Sequence, residues 1–158
     1  MRRFLPACLF TLLATAPALA QAVTNQIGTG CPGTNGTPTL TVSQPPRLGQ
    51  VLSLDLANLP LIQGQVWWLW GVDDSNWGQR ILPFDMGAFG MPGCTLYVAP
   101  EHLTFQFQTG PVMSTPFLVP QQASLLGCRL LNQVLVCDSG INQIGYTATN
   151  AVDLVFGL

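Results

Sequence analysis

Apolar and polar residues alternate at period two along several short stretches of the chain. Leu52, Leu54 and Leu56 interleave with Ser53, Asp55 and Ala57, and Leu103, Phe105 and Phe107 interleave with Thr104, Gln106 and Gln108. Successive side chains of a strand point to opposite faces, so this spacing predicts half-buried β-strands. Further strands are expected over Thr39 to Val42, Gln65 to Gly71, Cys94 to Val98, Thr115 to Val119, Cys128 to Cys137, Ile144 to Ala148 and Ala151 to Phe156. Turn signals separate them at Pro45-Pro46, Asn58-Leu59-Pro60, Met91-Pro92-Gly93, Gly110-Pro111 and Ser139-Gly140. One short helical turn is expected over Gln121 to Leu126, between Pro120 and Gly127. The sum predicts an all-β fold, an antiparallel β-sandwich of immunoglobulin-like or jelly-roll-like kind.

The amino terminus breaks this pattern. Arg2 and Arg3 precede an apolar run from Phe4 to Leu13 and a small-residue site at Ala18-Leu19-Ala20. That order predicts a secretory signal peptide over residues 1–20. The run is interrupted by Pro6 and Pro17 and falls short of the roughly 20 apolar residues that span a bilayer, and no later stretch is long enough. Leu5-Pro6-Ala7-Cys8 has the look of a lipoprotein box, but no apolar segment precedes it. Residues 21–37, rich in Gly, Thr and Asn, are expected to form an irregular lead-in that needs tethering, and residues 38–158 a single β-sandwich domain.

Charge narrows the partners. Past the leader only Arg47, Arg80 and Arg129 remain against seven carboxylates, a net charge of −4, and the chain has no lysine. Nucleic acid and anionic membrane surfaces need clustered positive charge, which is absent from the sequence. Gly and Pro are abundant, yet an apolar content of 48% is too high for a chain that cannot collapse.

Loss of the leader removes Cys8 and leaves Cys31, Cys94, Cys128 and Cys137, an even set that favours disulfides in an exported protein. Three pairings are possible. The turn-like contexts Gly30-Cys31-Pro32-Gly33 and Pro92-Gly93-Cys94 favour Cys31 with Cys94, which leaves Cys128 with Cys137. If Cys128 to Cys137 is one straight strand its ends lie about 30 Å apart, beyond disulfide reach. Either the chain folds back near Asn132-Gln133 or these two thiols do not pair. No Cys-x-x-Cys is present and His102 is the only histidine, so no zinc site and no other metal or cofactor is expected.

Residues suited to catalysis are scarce. His102 lies beside Glu101 with no nucleophile-elbow signature in the chain, and a strand would turn the adjacent Asp73 and Asp74 to opposite sides. No catalytic residue is assigned. Asp73, Asp74, Ser75 and Asn76 lack the spacing and glycine of a calcium loop. Aromatic residues argue for binding instead. In Val66-Trp67-Trp68-Leu69-Trp70, alternation places Trp68 and Trp70 on one face and Trp67 and Leu69 on the other. Either the strand is buried on both sides, beneath the Pro83 to Pro92 loop, or Trp67 or Trp77 is an exposed stacking platform for sugar, assisted by Asp73, Asp74, Asn76 and Gln79. Asn35-Gly36-Thr37 is a formal glycosylation sequon.

A set of short motifs carries a resemblance. Gly28-Thr29-Gly30-Cys31-Pro32-Gly33, Trp77-Gly78, Leu82-Pro83-Phe84-Asp85-Met86-Gly87, Pro92-Gly93-Cys94, Leu126-Gly127, Gln133 to Asp138, Gly140-Ile141-Asn142 and Thr149-Asn150 together resemble an uncharacterised domain of exported environmental bacterial proteins. In that family the domain is often a C-terminal appendage of secreted or cell-surface proteins. The resemblance implies a β-sandwich with Cys31 and Cys94 linked, no enzymatic activity and no defined ligand. Cys128 and Cys137 depart from the family pattern.

The expectation is an exported, non-catalytic structural or interaction module of the cell surface, periplasm or medium. A carbohydrate-binding module built on Trp67, Trp68, Trp70, Trp77, Asp73, Asp74 and Asn76 is the alternative, and a small secreted hydrolase a more distant one. A polysaccharide or a cell-surface protein is the expected kind of partner.

Overall fold

A computed structural model describes residues 20–61 and 64–158. The expected leader lies outside the described residues except for Ala20. The chain forms β1 (Val23–Ile27), β2 (Thr39–Val42), β3 (Val51–Ala57), β4 (Gln65–Gly71), β5 (Asn76–Trp77), β6 (Arg80–Ile81), β7 (Phe84–Asp85), β8 (Thr95–Leu96), β9 (His102–Phe107), β10 (Met113–Leu118), β11 (Arg129–Cys137) and β12 (Tyr146–Val155). Two 3-10 turns cover Met86–Phe89 and Ala123–Leu125, the second within the expected helical turn. A five-stranded antiparallel sheet has the order β1-β12-β11-β4-β9, and a three-stranded sheet the order β10-β3-β2.

The alternation read from the sequence builds the space between the sheets. Leu52, Leu54 and Leu56 from β3 and Leu40 from β2 meet Val66, Trp68, Val134, Val136, Val152 and Leu154 from the larger sheet in one buried cluster. The fold is therefore an antiparallel β-sandwich, as the pattern of turns and strands predicts. A second buried cluster lies on the outer face of the larger sheet. There Leu69 and Ala148 are covered by Leu82, Met86, Met91, Cys94 and Leu96 from the long connection between β4 and β9. β4 is thus buried on both sides over part of its length, and the segment around residues 83–92 is its cover. Gly71 ends the strand where a Cβ would collide with the Ala99 carbonyl, so the returning chain lies directly on the sheet.

Four expectations need correction. Residues 23–27, placed in an irregular lead-in, are β1, which pairs residue by residue with the end of β12 from Val23↔Val155 to Ile27↔Ala151. Its polar sequence has no alternation to reveal it, and the strand is held by its neighbour. Second, Ile144 to Ala148 and Ala151 to Phe156 are not two strands; β12 runs through Thr149-Asn150 without a turn. The pairing with β11 shifts between Gln133 and Leu135, so these two polar residues oppose Val134 as a β-bulge. Thr149 Oγ1 accepts from the Val134 N–H at 3.0 Å, which explains how a polar pair occupies the core. Third, β9 is not half-buried: all six of its residues are exposed.

The fourth correction concerns the thiols. Cys31 and Cys94 form a disulfide with a Cα separation of 4.9 Å, tying the lead-in to the outer-face cover. Among the described residues Cys128 and Cys137 are both free. β11 is one continuous strand from Arg129 to Cys137, which sets the two thiols at opposite ends of it and leaves them no route to each other.

Candidate functional site

Alternation along β4 places Trp68 in the sandwich core and Trp67 on the outer face, at the margin of the cover. Cross-strand pairing sets Leu135 of β11 beside Trp67, and Tyr146 leads into β12 one strand further on. These three side chains floor an open groove of about 470 Å³. Its walls are Met86, Phe89 and Met91 from the 3-10 turn and the residues after it, with Trp77 and Ile144 completing the rim. Asp85 caps that turn, accepting from the Gly87 N–H at 2.8 Å, and Gly90 closes it in the left-handed region at φ 83°. The lining is almost wholly apolar.

The aromatic surface continues beyond the groove onto β9. Phe105 stands opposite Trp67 with ring centroids 5.2 Å apart, and Phe107 packs edge-on to Phe105 at 6.1 Å. Leu103, Phe105 and Phe107 are 51%, 53% and 68% exposed, unusual for an aromatic row on a sheet face. The Arg80 guanidinium lies 5.2, 5.6 and 5.4 Å from the ring centres of Trp77, Phe84 and Phe89, a cation stacked at the groove's rim.

The polar residues expected to assist the tryptophans are occupied elsewhere. Asp73 Oδ1 accepts from the Ser75 N–H at 2.7 Å, the Ser75 hydroxyl at 2.6 Å and the Asn76 N–H at 3.2 Å. The Ser75 hydroxyl is the main reason its carboxyl titrates below the ordinary 3.8. Asn76 donates to Ser75 Oγ, so this segment is a self-satisfied turn. Asp74 pairs with Arg129 at 2.8 Å, and Arg129 also pairs with the buried Asp153 at 3.1 Å. Hydrogen bonds to Asp153 and then Asp74 raise the Arg129 pKa. Asp73, Asp74 and Asn76 do not line the groove that holds Trp67 and Trp77, although Asn76 adjoins Trp77 in β5. Of the four tryptophans only Trp67 and Trp77 line the groove; Trp70 is half-buried, stacks on Phe117 and donates to Thr104.

Among the described residues no cluster of catalytic side chains is found. His102 is exposed on β9, and among the described residues its side chain makes no hydrogen bond or ion pair. Among these residues no group of three or more His, Cys, Asp or Glu side chains could hold a metal ion, and no helix is long and apolar enough to cross a membrane. A smaller cavity of about 300 Å³ lies between Pro60, Leu61, Cys137 and Ser139. Its Asp138 is buried and accepts both the Thr34 N–H and hydroxyl at 2.7 Å, and the Asn35 amide of the sequon donates to the Leu59 carbonyl.

The wall residues Met86, Phe89 and Ile144 were not legible as a site, because loops far apart in sequence bring them to one rim. The signal that could have found them is the density of large apolar residues in segments otherwise reading as turns. No family model matches the chain, and no curated protein or solved structure is detectably similar to it.

Proposed function

We propose that the protein is an exported, non-catalytic interaction module that takes an apolar protein segment into the groove floored by Trp67, Leu135 and Tyr146. The observation that carries this reading is the separation of chemistries: the groove is open and apolar, while the neighbouring carboxylates are consumed by their own turn and by Arg129. A hydrolytic site would instead need acid, base or nucleophile side chains within hydrogen-bond reach of one another. Export is supported by the leader pattern and by the Cys31–Cys94 disulfide, a bond characteristic of oxidising compartments.

A carbohydrate-binding module is the second reading, favoured by the row of half-buried Trp67 and exposed Phe105 and Phe107 on the outer sheet face. Sugar recognition adds directed hydrogen bonds to stacking, and the groove supplies few. Titration separates the two. The apolar probe anilinonaphthalene sulfonate is expected to bind saturably and to lose at least about tenfold in affinity in Trp67→Ala, while soluble polysaccharides leave tryptophan emission unchanged. A saturable polysaccharide response abolished by Trp77→Ala would replace the first reading with the second. Probe binding unaffected by Trp67→Ala would remove the groove from the account.

A further inference from the structure

The sandwich has four sheet edges, and three are guarded. The outer edge of β2 is capped by a side chain: Asn150 accepts from the Leu40 N–H and donates to the Leu40 carbonyl, both at 2.9 Å. β10 carries Pro116, which lacks the N–H a further strand would need. β1 is short and has three consecutive polar residues, Thr24, Asn25 and Gln26, so it offers no apolar row. β9 has none of these devices. It contains no proline and no lysine, its sole titratable group is His102, and it shows its apolar row to solvent. An edge of that kind is a template for pairing with another chain.

The ladder fixes which backbone groups of β9 have no partner among the described residues. The pairing Gln65↔Phe107 sets Gly64 opposite Gln108, and the Gln108 N–H donates to the Gly64 carbonyl at 2.9 Å. Directly opposed hydrogen-bonded pairs recur at every second residue of an antiparallel ladder. Gln106, Thr104 and His102 therefore turn their N–H and C=O groups toward β4, and Leu103, Phe105 and Phe107 turn theirs outward. The residues with free backbone groups are the same residues whose side chains form the apolar row.

We infer that β9 is a self-association edge, at which a second copy of this chain adds its own β9 antiparallel about a two-fold axis through Phe105. That register opposes Phe105 to Phe105 and Leu103 to Phe107, forming about six backbone hydrogen bonds between the outward-turned groups. Apolar side chains then meet apolar ones on the outer face, and Thr104 meets Gln106 on the other. A heterologous strand would need its own matching period, whereas this strand matches itself in both backbone phase and side-chain chemistry. The strand has no carboxylate or lysine to repel its copy. Two sheets would join into one, with the two grooves on the same face.

The contact is small. With aromatic side chains burying 150–250 Å² when fully covered, the half-exposed row and its backbone supply on the order of 400 Å² per partner, about half of a standard interface. A weak, concentration-dependent dimer follows, not a permanent one. The inference does not rest on the groove having a ligand.

The test is sedimentation equilibrium of the protein with Cys128 and Cys137 alkylated, from about 1 to 500 µM, a range that spans weak reversible association. A monomer–dimer equilibrium is expected, with the dissociation constant raised at least about tenfold in Phe105→Lys, which sets two like charges across the axis. A monomer throughout the range overturns the inference, and so does a dimer that Phe105→Lys leaves unchanged. If Phe105→Lys does not fold, Phe105→Cys in a Cys128→Ser, Cys137→Ser background decides: opposed Cα atoms at about 5.5 Å allow a disulfide across the axis. Rapid oxidation to a covalent dimer is expected there, and an equal yield from Thr104→Cys overturns the register. Anilinonaphthalene sulfonate binding, followed in the same samples, reports on the groove separately, so failure of the dimer and failure of the groove are distinguishable.

Discussion

The centre of the larger sheet and its β9 edge use polar and apolar residues in opposite ways. At β11 and β12 buried polar side chains are mostly satisfied: Gln133 donates to the Thr95 and Thr149 carbonyls and accepts from the Tyr97 N–H, all within 2.9 Å, and Asn150 joins β12 to β2, while Asn132 donates to the Leu69 carbonyl and its Oδ1 has no partner among the described residues. At β9 the apolar side chains of Leu103, Phe105 and Phe107 are exposed, and beside them Trp67 of β4 is half-buried at the margin of the cover. A buried amide with all its partners fixes one arrangement of the chain, because any other leaves groups unpaired at a cost of several kcal/mol. An exposed aromatic row does the opposite, since it contributes little to folding and gains only on contact with something else. Stability therefore resides in the first part, and we propose that interaction belongs to the second.

The largest effect is expected where the outer-face cover is tied down. Cys31 and Cys94 are 63 residues apart in sequence, and Cys31→Ser with Cys94→Ser should cost about 4 kcal/mol by the chain-entropy relation. Urea unfolding monitored by circular dichroism measures it. Because the disulfide fastens the segment that walls the groove, the same variant should also lose anilinonaphthalene sulfonate binding at denaturant concentrations where the sandwich remains folded. Simultaneous loss of both would show that cover and sandwich unfold as one unit.

The next contrast compares one residue from each part. Asn150→Ala removes both partners of Leu40 in a buried setting and should destabilise by about 3 kcal/mol, given roughly 1–3 kcal/mol for each orphaned group. Phe107→Thr, on the exposed row, should change stability by less than about 0.5 kcal/mol, because threonine suits a strand and little burial is lost. Urea midpoints of the two variants check this. Equal losses would mean that β9 is part of the folding core after all.

Much of this division was legible in the sequence, and the missing parts have physical reasons. The Leu52, Leu54, Leu56 alternation located the inter-sheet core, because one face of β3 is buried along its whole length. The same period at Leu103, Phe105 and Phe107 predicts a strand equally well, but that strand is exposed rather than half-buried. Period two reports that one face is apolar and cannot report whether anything covers it. The alternation of Trp67 to Trp70 gave the two faces of β4, yet the indoles and the Asp73-Asp74-Asn76 turn were read as one cluster because they adjoin in sequence. Asp74 is instead drawn to Arg129, 55 residues on. Gln133, Asp138, Thr149 and Asn150 belong to the short motifs of the chain, and their common feature is hydrogen bonding inside the fold. Local sequence carries backbone period well and carries the partners of a polar side chain poorly, since those partners lie across the sheet.

The smallest effect is at the Asp73 turn, and its sign follows from the geometry. The Ser75 hydroxyl, the Ser75 N–H and the Asn76 N–H all donate to the ionised carboxylate, and the charge of Arg129 adds to them, so the folded-state pKa lies below the ordinary 3.8. A group depressed in this way stabilises the fold above its unfolded value and loses that contribution as pH falls through its folded value. The wild type should thus exceed Asp73→Asn in thermal midpoint by a constant, small margin above about pH 5, and the margin should shrink toward about pH 2. A margin that does not change over that range would mean the carboxylate is not held by its turn. It would then be free to assist a ligand beside Trp77, and calcium or sugar should perturb the indole emission. If the margin shrinks as expected, Asp73 is committed to its own turn at neutral pH. The groove is then left with its apolar lining and the stacked Arg80, a surface suited to a protein segment more than to a hydroxyl-rich ring.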